Sequence, residues 1–138
     1  MTETIRKGKK IVDSPEIVAE IVRAILLSYE EHEQDKEHFW TIGLNKKNVV
    51  QYVDLISIGT NNETIIHPRE IFRYAILKNC NSVIVAHNHP SGVLKPSNED
   101  IVSTRRIAEA GKIIGIELLD HVIVSADSYM SLKTEVCF

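Results

Sequence analysis

Apolar residues recur along this chain with two different periods, and the changes of period mark its elements. Ile17, Val18, Ile21, Val22, Ile25 and Leu26 fall on one face at helical spacing, preceded by Asp13-Ser14-Pro15, so residues 14–31 read as an amphipathic helix with a proline in its first turn. The polar stretch Glu30 to Glu37 ends it. Phe39-Trp40-Thr41-Ile42-Gly43-Leu44 then reads as a strand, Asn45 to Asn48 as a turn, and residues 49–58 as a second strand completing a hairpin. His67-Pro68-Arg69-Glu70 opens another helix carrying Ile71, Phe72, Ala75 and Ile76 on one face. Ser82-Val83-Ile84-Val85-Ala86 is nearly all apolar, as a strand covered on both faces of a sheet must be. After a loop at 88–96, a helix is expected from Ser97 to Ala110, stopped by Gly111 and Gly115. Strands are expected at Ile116–Leu119 and His121–Ser125, and a last one at Tyr129–Leu132.

This succession of helices and strands predicts an α/β or α+β domain, a sheet flanked by helices. At 138 residues the chain holds one domain of ordinary size, with enough core to fold without disulfides. Residues 1–12 are expected to be a flexible basic N-terminus and 13–138 the single domain. Hydrophobic residues at 43% and charged residues at 25% describe an ordinary globular protein. No apolar run approaches the ~20 residues of a membrane helix, and no signal peptide is evident, so a cytoplasmic location is expected. Cys80 and Cys137 lack the close spacing of a metal or redox motif and read as reduced thiols. The formal charge of −3 disfavours indiscriminate attraction to phosphates. Arg6, Lys7, Lys9 and Lys10 read as a solvated terminus rather than a nucleic-acid arm.

The chemistry concentrates in Ala86-His87-Asn88-His89-Pro90-Ser91-Gly92 and Pro96-Ser97-Asn98-Glu99-Asp100, which join the apolar strand to the next helix. Two histidines one residue apart, where a strand ends and the chain bends away, can turn two neutral imidazoles toward one point. Asp100, in the first turn of the following helix, can supply a third ligand and leave a fourth position open, as catalytic zinc sites do. Such a centre lowers the pKa of water and polarises a carbonyl, which favours amide hydrolysis. Ser97 and Asp100 also read as a capping box, an ordinary helix start.

The patterns His87-x-His89-Pro90 and Ser97-x-x-Asp100 match the JAMM motif of the JAB/MPN metalloproteases. Together with His67-Pro68-Arg69-Glu70, His87 to Gly92, Pro96-Ser97 and Leu118-Leu119-Asp120-His121, the chain resembles bacterial RadC-type proteins over roughly residues 13–135. The resemblance implies a curved, mostly antiparallel sheet with cytidine-deaminase-like layering. It also implies one zinc per chain on His87, His89 and Asp100, and a glutamate ahead of the first core strand as general base and then acid; Glu37 is the match. Ser97 matches the motif serine, an oxyanion stabiliser in the family. Longer RadC-type proteins carry an N-terminal helix-hairpin-helix region linked to DNA binding, which this sequence is not expected to hold, so direct DNA contact is not expected and the traditional DNA-repair label is in question.

The expected activity is a zinc metallohydrolase, a peptidase or isopeptidase with a peptide or protein substrate. The rivals are a non-catalytic metal-binding module in a DNA-processing or mobile-element complex and, behind it, a metal-dependent nuclease. Among the other residues, Trp40 reads as core, His32 and His38 as solvated, His67 as a helix starter, and Asn88 as pointing between the two histidines. Asp120-His121 reads first as a packing pair at a strand edge and second as an outer support for the ligands.

Overall fold

The computed structural model describes residues 2–3, 10–59, 66–136 and 138. Its elements are β1 (Thr2–Glu3), α1 (Pro15–Leu27), α2 (Glu31–Gln34), β2 (Glu37–Leu44), β3 (Val50–Gly59) and α3 (Pro68–Leu77). They continue as β4 (Ser82–Asn88), α4 (Asn98–Ile114), β5 (Glu117–Val124), β6 (Tyr129–Ser131) and α5 (Leu132–Val136). The sheet runs β1-β3-β2-β4-β5-β6, antiparallel at every described pairing except β4 with β5. The mixed architecture with a mostly antiparallel sheet is the one expected.

Strand parity divides the core into two layers. Trp40, Ile42, Leu44, Ile84, Ala86, Val122 and Val124 face α1, which buries Val18, Ala19, Ile21 and Val22 against them. The opposite face carries Tyr52, Val83 and Val85 against Ile71, Phe72 and Ala75 of α3 and Ile107 of α4. Burial on this scale contributes about 1.5–3 kcal/mol for each fully covered aliphatic side chain. Strand β4 is buried along its whole length, as its apolar run requires.

The hairpin forms as the turn chemistry demands: Asn45 Oδ1 accepts from the Lys47 and Val49 amides at 2.9 and 3.0 Å, and Asn48 takes φ 58°. Gly43 lies beneath the Tyr52 ring, where any Cβ would collide with it.

Several expectations change. Helix α1 stops at Leu27, where the apolar stripe ends, and the chain resumes helix only for the single turn α2. Helix α4 runs through Gly111 to Ile114. Gly111 is there for close approach: a Cβ would meet the Ile116 carbonyl, while Gly115, at φ 78°, provides the left-handed cap. The strands expected on either side of Asp120 are one strand, β5, with a register shift where Val83 pairs with Leu118 but Ile84 pairs with Asp120. Leu132 begins α5 rather than ending β6.

Within the expected basic terminus, Arg6, Lys7, Lys9 and the stretch around them lie outside the described residues. Lys10 to Val12 run beside the hairpin, with Val12 N–H donating to the Asn48 carbonyl at 2.8 Å and its side chain buried. Cys80 is a buried free thiol; Cys137 lies outside the described residues. Among the described residues no helix is long and apolar enough to cross a membrane.

Candidate metal centre

The site forms where β4 runs out. Phe39 of β2 pairs with His87, and continuing this antiparallel register by two residues sets Glu37 beside position 89. Glu37, Phe39 and His87 share the face toward α4. Beyond Asn88 the chain stays beside β5 for one more bond, His89 N–H to the Val124 carbonyl at 2.9 Å, and then turns. Gly92, at φ 87°, closes that turn, and Gly92 N–H donates to the His89 carbonyl at 3.0 Å. The chain returns at Ser97, the N-cap of α4.

This path brings four side chains together. His87 Nε2 and His89 Nε2 are 2.8 Å apart. Asp100 Oδ2 lies 3.6 Å from the first and 3.8 Å from the second, and Glu37 Oε1 lies 3.7 Å from His89 Nε2. One donor atom each from Glu37, His87 and His89 all fall within 4.8 Å of one another, so both carboxylates compete for the role of third ligand. His87 is buried, and the other three are partly open to solvent.

Each group is held by a second bond. The Nδ1 of His89 faces the Val93 carbonyl at 2.6 Å; a carbonyl only accepts, so Nδ1 carries the hydrogen and Nε2 keeps a lone pair. The capping box is complete: Ser97 Oγ accepts from Asp100 N–H at 3.0 Å, and Asp100 Oδ2 accepts from Ser97 N–H at 2.9 Å. The two readings of Asp100 are therefore compatible, since one carboxylate oxygen both caps the helix and faces the histidines. Phe39 stacks on the His87 ring at 5.9 Å between centroids. No hydrogen bond holds the Glu37 carboxylate among the described residues.

Burial pushes the Glu37 carboxyl above its ordinary value, with Asp100 adding to the rise and His89 opposing it. Burial lowers His87 to about 4 against the pull of Asp100. His121 is held well below its usual value by burial and by His87 and His89 nearby. His87 is thus neutral, as a metal ligand must be.

The arrangement suits a cation. Lone pairs and carboxylate oxygens converge, and the only ion-pair partners of Glu37 and Asp100 among the described residues are these two histidines. Their separations of 2.8 to 3.8 Å bracket the roughly 3.3 Å edge of a tetrahedron with ~2.0 Å bonds.

Outward, the site opens into a cleft of about 670 Å³ edged by Pro90, Val93, Lys95 and Ser97. Inward, a recess of about 70 Å³ continues past Phe39, Ser57, Ile66 and Ser103.

A scan against family models matches the RadC-like JAB domain over residues 12–137. The chain belongs to the RadC-like JAB domain family. The chain is 48% identical over 125 residues to a UPF0758 protein of Syntrophomonas wolfei, covering 91% of this chain and 53% of that protein. A UPF0758 protein of Clostridium acetobutylicum is 47% identical over 124 residues, 90% of this chain and 52% of its own length. One from Methanosarcina mazei is 41% identical over 131 residues, 95% and 55% respectively. The chain thus spans about half the length of these curated relatives.

Other residues of this RadC-like JAB domain sit where the sequence reading did not put them. His38, expected to be solvated, is fully buried between Tyr29 and Trp40, because even-numbered positions of β2 face α1. Asn88 points away from the site for the same reason of parity. Its Oδ1 accepts from His38 N–H at 2.6 Å and its Nδ2 donates to the Lys36 carbonyl at 3.0 Å, gripping the backbone on both sides of Glu37. Trp40 is core and His32 is exposed, as expected. His67 is the N-cap of α3 without a side-chain bond to it.

Asp120 and His121 are not ring partners. Asp120 accepts from Ser131 Oγ and from the Lys133 and His121 amides, whereas the His121 ring reaches His87 and Thr104. The register shift in β5 makes the difference, because it returns His121 to the α4 face. Thr104 escaped the sequence reading. Its signal was a polar residue in the buried stripe of α4, between Asp100 and Ile107 at helical spacing.

Proposed function

We propose that this domain is a zinc-dependent hydrolase acting on a peptide or isopeptide bond. The observation that carries the reading is the convergence of His87, His89, Asp100 and Glu37 between an outer cleft and an inner recess. Two imidazoles and a carboxylate are a donor set that suits zinc.

In this reading His87, His89 and Asp100 hold the metal and Glu37 is the base. Asp100 Oδ2 is nearly equidistant from both imidazoles and pinned by Ser97 N–H, as a ligand should be. Among the described residues Glu37 is ion-paired only with His89, which leaves its carboxylate free to exchange a proton at Oε1. When bound, zinc supplies Lewis acidity toward a carbonyl and a lowered pKa for water. The raised Glu37 carboxyl takes a proton from the attacking water and returns it to the leaving amine. Ser97, on the cleft wall, offers its hydroxyl to the developing oxyanion while it caps α4. A peptide substrate would lie along the cleft, and the net charge of −3 favours a peptide over a nucleic acid.

The test is elemental analysis of protein purified without added metal, followed by peptide and isopeptide hydrolysis assays. Near one zinc per native chain, lost in folded His89→Ala and Asp100→Asn, is expected, with Glu37→Gln keeping zinc and losing hydrolysis. Loss of zinc in Glu37→Gln but not in Asp100→Asn would exchange the two carboxylates' roles. A native chain that takes up no zinc on titration would refute the hydrolase and favour a binding module.

A further inference from the structure

His87 is tied to residues that the proposed reaction does not otherwise use. Its Nδ1 lies 2.7 Å from His121 Nε2, His121 Nδ1 lies 2.6 Å from Thr104 Oγ1, and that hydroxyl lies 2.6 Å from the backbone carbonyl of Asp100. His87, His121 and Thr104 are buried, at 4%, 1% and 1% exposure, so in a resting arrangement these contacts are made within the row, and passing between arrangements exchanges a proton with water at each end, through the recess that His87 and His121 line.

A neutral imidazole has one N–H and one lone pair, and a threonine hydroxyl has one hydrogen. Two arrangements then give the His87–His121 and His121–Thr104 contacts a hydrogen each. In the first, Thr104 donates to the Asp100 carbonyl, His121 Nδ1–H to Thr104, and His87 Nδ1–H to His121. His87 Nε2 is then a bare lone pair beside that of His89. In the second, each hydrogen is reversed: Thr104 donates to His121 Nδ1, His121 Nε2–H to His87 Nδ1, and His87 Nε2–H to His89 Nε2, 2.8 Å away. His89 accepts there because its own Nδ1–H is committed to Val93. The arrangements contain the same number of protons. Only the first presents two imidazole lone pairs to a cation; the second places a hydrogen where the cation would sit.

We propose that Thr104 and His121 are positioning residues that set the tautomer of His87 and, through it, the affinity of the site for a divalent metal ion. This rests on the metal-site reading above. Asp100 serves both ends of the device, its carboxylate facing the histidines and its carbonyl receiving the Thr104 hydroxyl. Without that hydroxyl, the metal-ready arrangement leaves a buried His121 N–H with no acceptor. The closed arrangement leaves only a bare lone pair, the cheaper defect. Removing the Thr104 hydroxyl therefore tilts the row toward the closed form.

The experiment is a zinc titration against a chromophoric chelator for the native chain, Thr104→Val and Thr104→Ser, with histidine nitrogen NMR on the same samples. Thr104→Val is expected to weaken zinc binding about tenfold or more, the usual scale for a partner of a metal ligand. Thr104→Ser, which keeps the hydroxyl, should bind nearly as the native chain does. In the metal-free native protein, His87 and His121 should both carry hydrogen on Nε2, and on adding zinc both should move it to Nδ1. A folded Thr104→Val with native affinity overturns the proposal, as does a His121 tautomer that zinc leaves unchanged. If the native chain takes up no zinc, the hydrolase reading fails by itself. The relay is then decided by the metal-free spectra: the same tautomer on His87 and His121 supports it, and opposite tautomers overturn it.

Discussion

Replacing Asn88 by leucine removes the side chain that grips β2 on both sides of Glu37. Two hydrogen bonds go, from His38 N–H at 2.6 Å and to the Lys36 carbonyl at 3.0 Å. Each is worth about 1 kcal/mol net, and leaving the buried His38 N–H without an acceptor costs about 1–3 kcal/mol more. The Lys36 carbonyl is only partly buried and regains water, so it adds little. The sum is roughly 3–5 kcal/mol, which for a domain of this size lowers Tm by about 10–15 °C. Asn88→Asp keeps an acceptor for His38 N–H but sets an oxygen against the Lys36 carbonyl, so its loss should also be measurable. Because Glu37 lies between the two gripped residues, hydrolysis should fall further than zinc affinity, which in our reading depends on His87, His89 and Asp100. Thermal and urea denaturation, with zinc titration, measure both effects. A Tm within about 2 °C of native for Asn88→Leu would refute the reasoning, since two lost bonds cannot cost so little unless the strand is fixed by other means.

Other substitutions and conditions test other parts of the structure. Gly43→Ala drives a methyl into the buried Tyr52 ring and should cost about 1–3 kcal/mol, read as a lower urea midpoint; a neutral effect would mean Tyr52 moves freely. Ser97→Ala removes the cap bond to Asp100 N–H and should cost about 1 kcal/mol, with a fall in kcat at unchanged KM if the hydroxyl also meets the oxyanion. Unchanged stability would show that the bond to the Asp100 amide contributes nothing. The pH dependence of metal-free protein follows from His87, lowered to about 4 by burial, and from His38 and His121, lowered by the same cause. Their unfolded forms titrate near 6.5, so the stability they allow is complete above that pH and is lost as pH falls toward the folded values. His87 alone accounts for a loss of about 2 kcal/mol between pH 7.5 and 5. Equal urea midpoints at the two pH values, in chelator, would contradict this.

The sequence by itself marked the longer helices and strands and the candidate ligands, because each was written in local spacing. Period 3.6 marked α1 and α3, and the unbroken apolar run of β4 required a strand covered on both faces. His87, His89 and Asp100 stood out because two histidines at a strand end and an acid at the next helix start carry their geometry with them. What each residue touches across the sheet was decided by tertiary structure. Asn88 is adjacent to both histidines in sequence yet faces the other layer, since neighbours on a strand point opposite ways. His38 looked polar among polar neighbours, but its parity put it between Tyr29 and Trp40. His121 would face away from α4 if β5 kept its register from Leu118, and one extra residue turns it back to meet Thr104 and His87. A register shift leaves no fixed mark in composition or period, because pairing with a strand more than thirty residues away creates it. Spacing along one chain specifies which groups are available, whereas the register between distant strands specifies which of them meet.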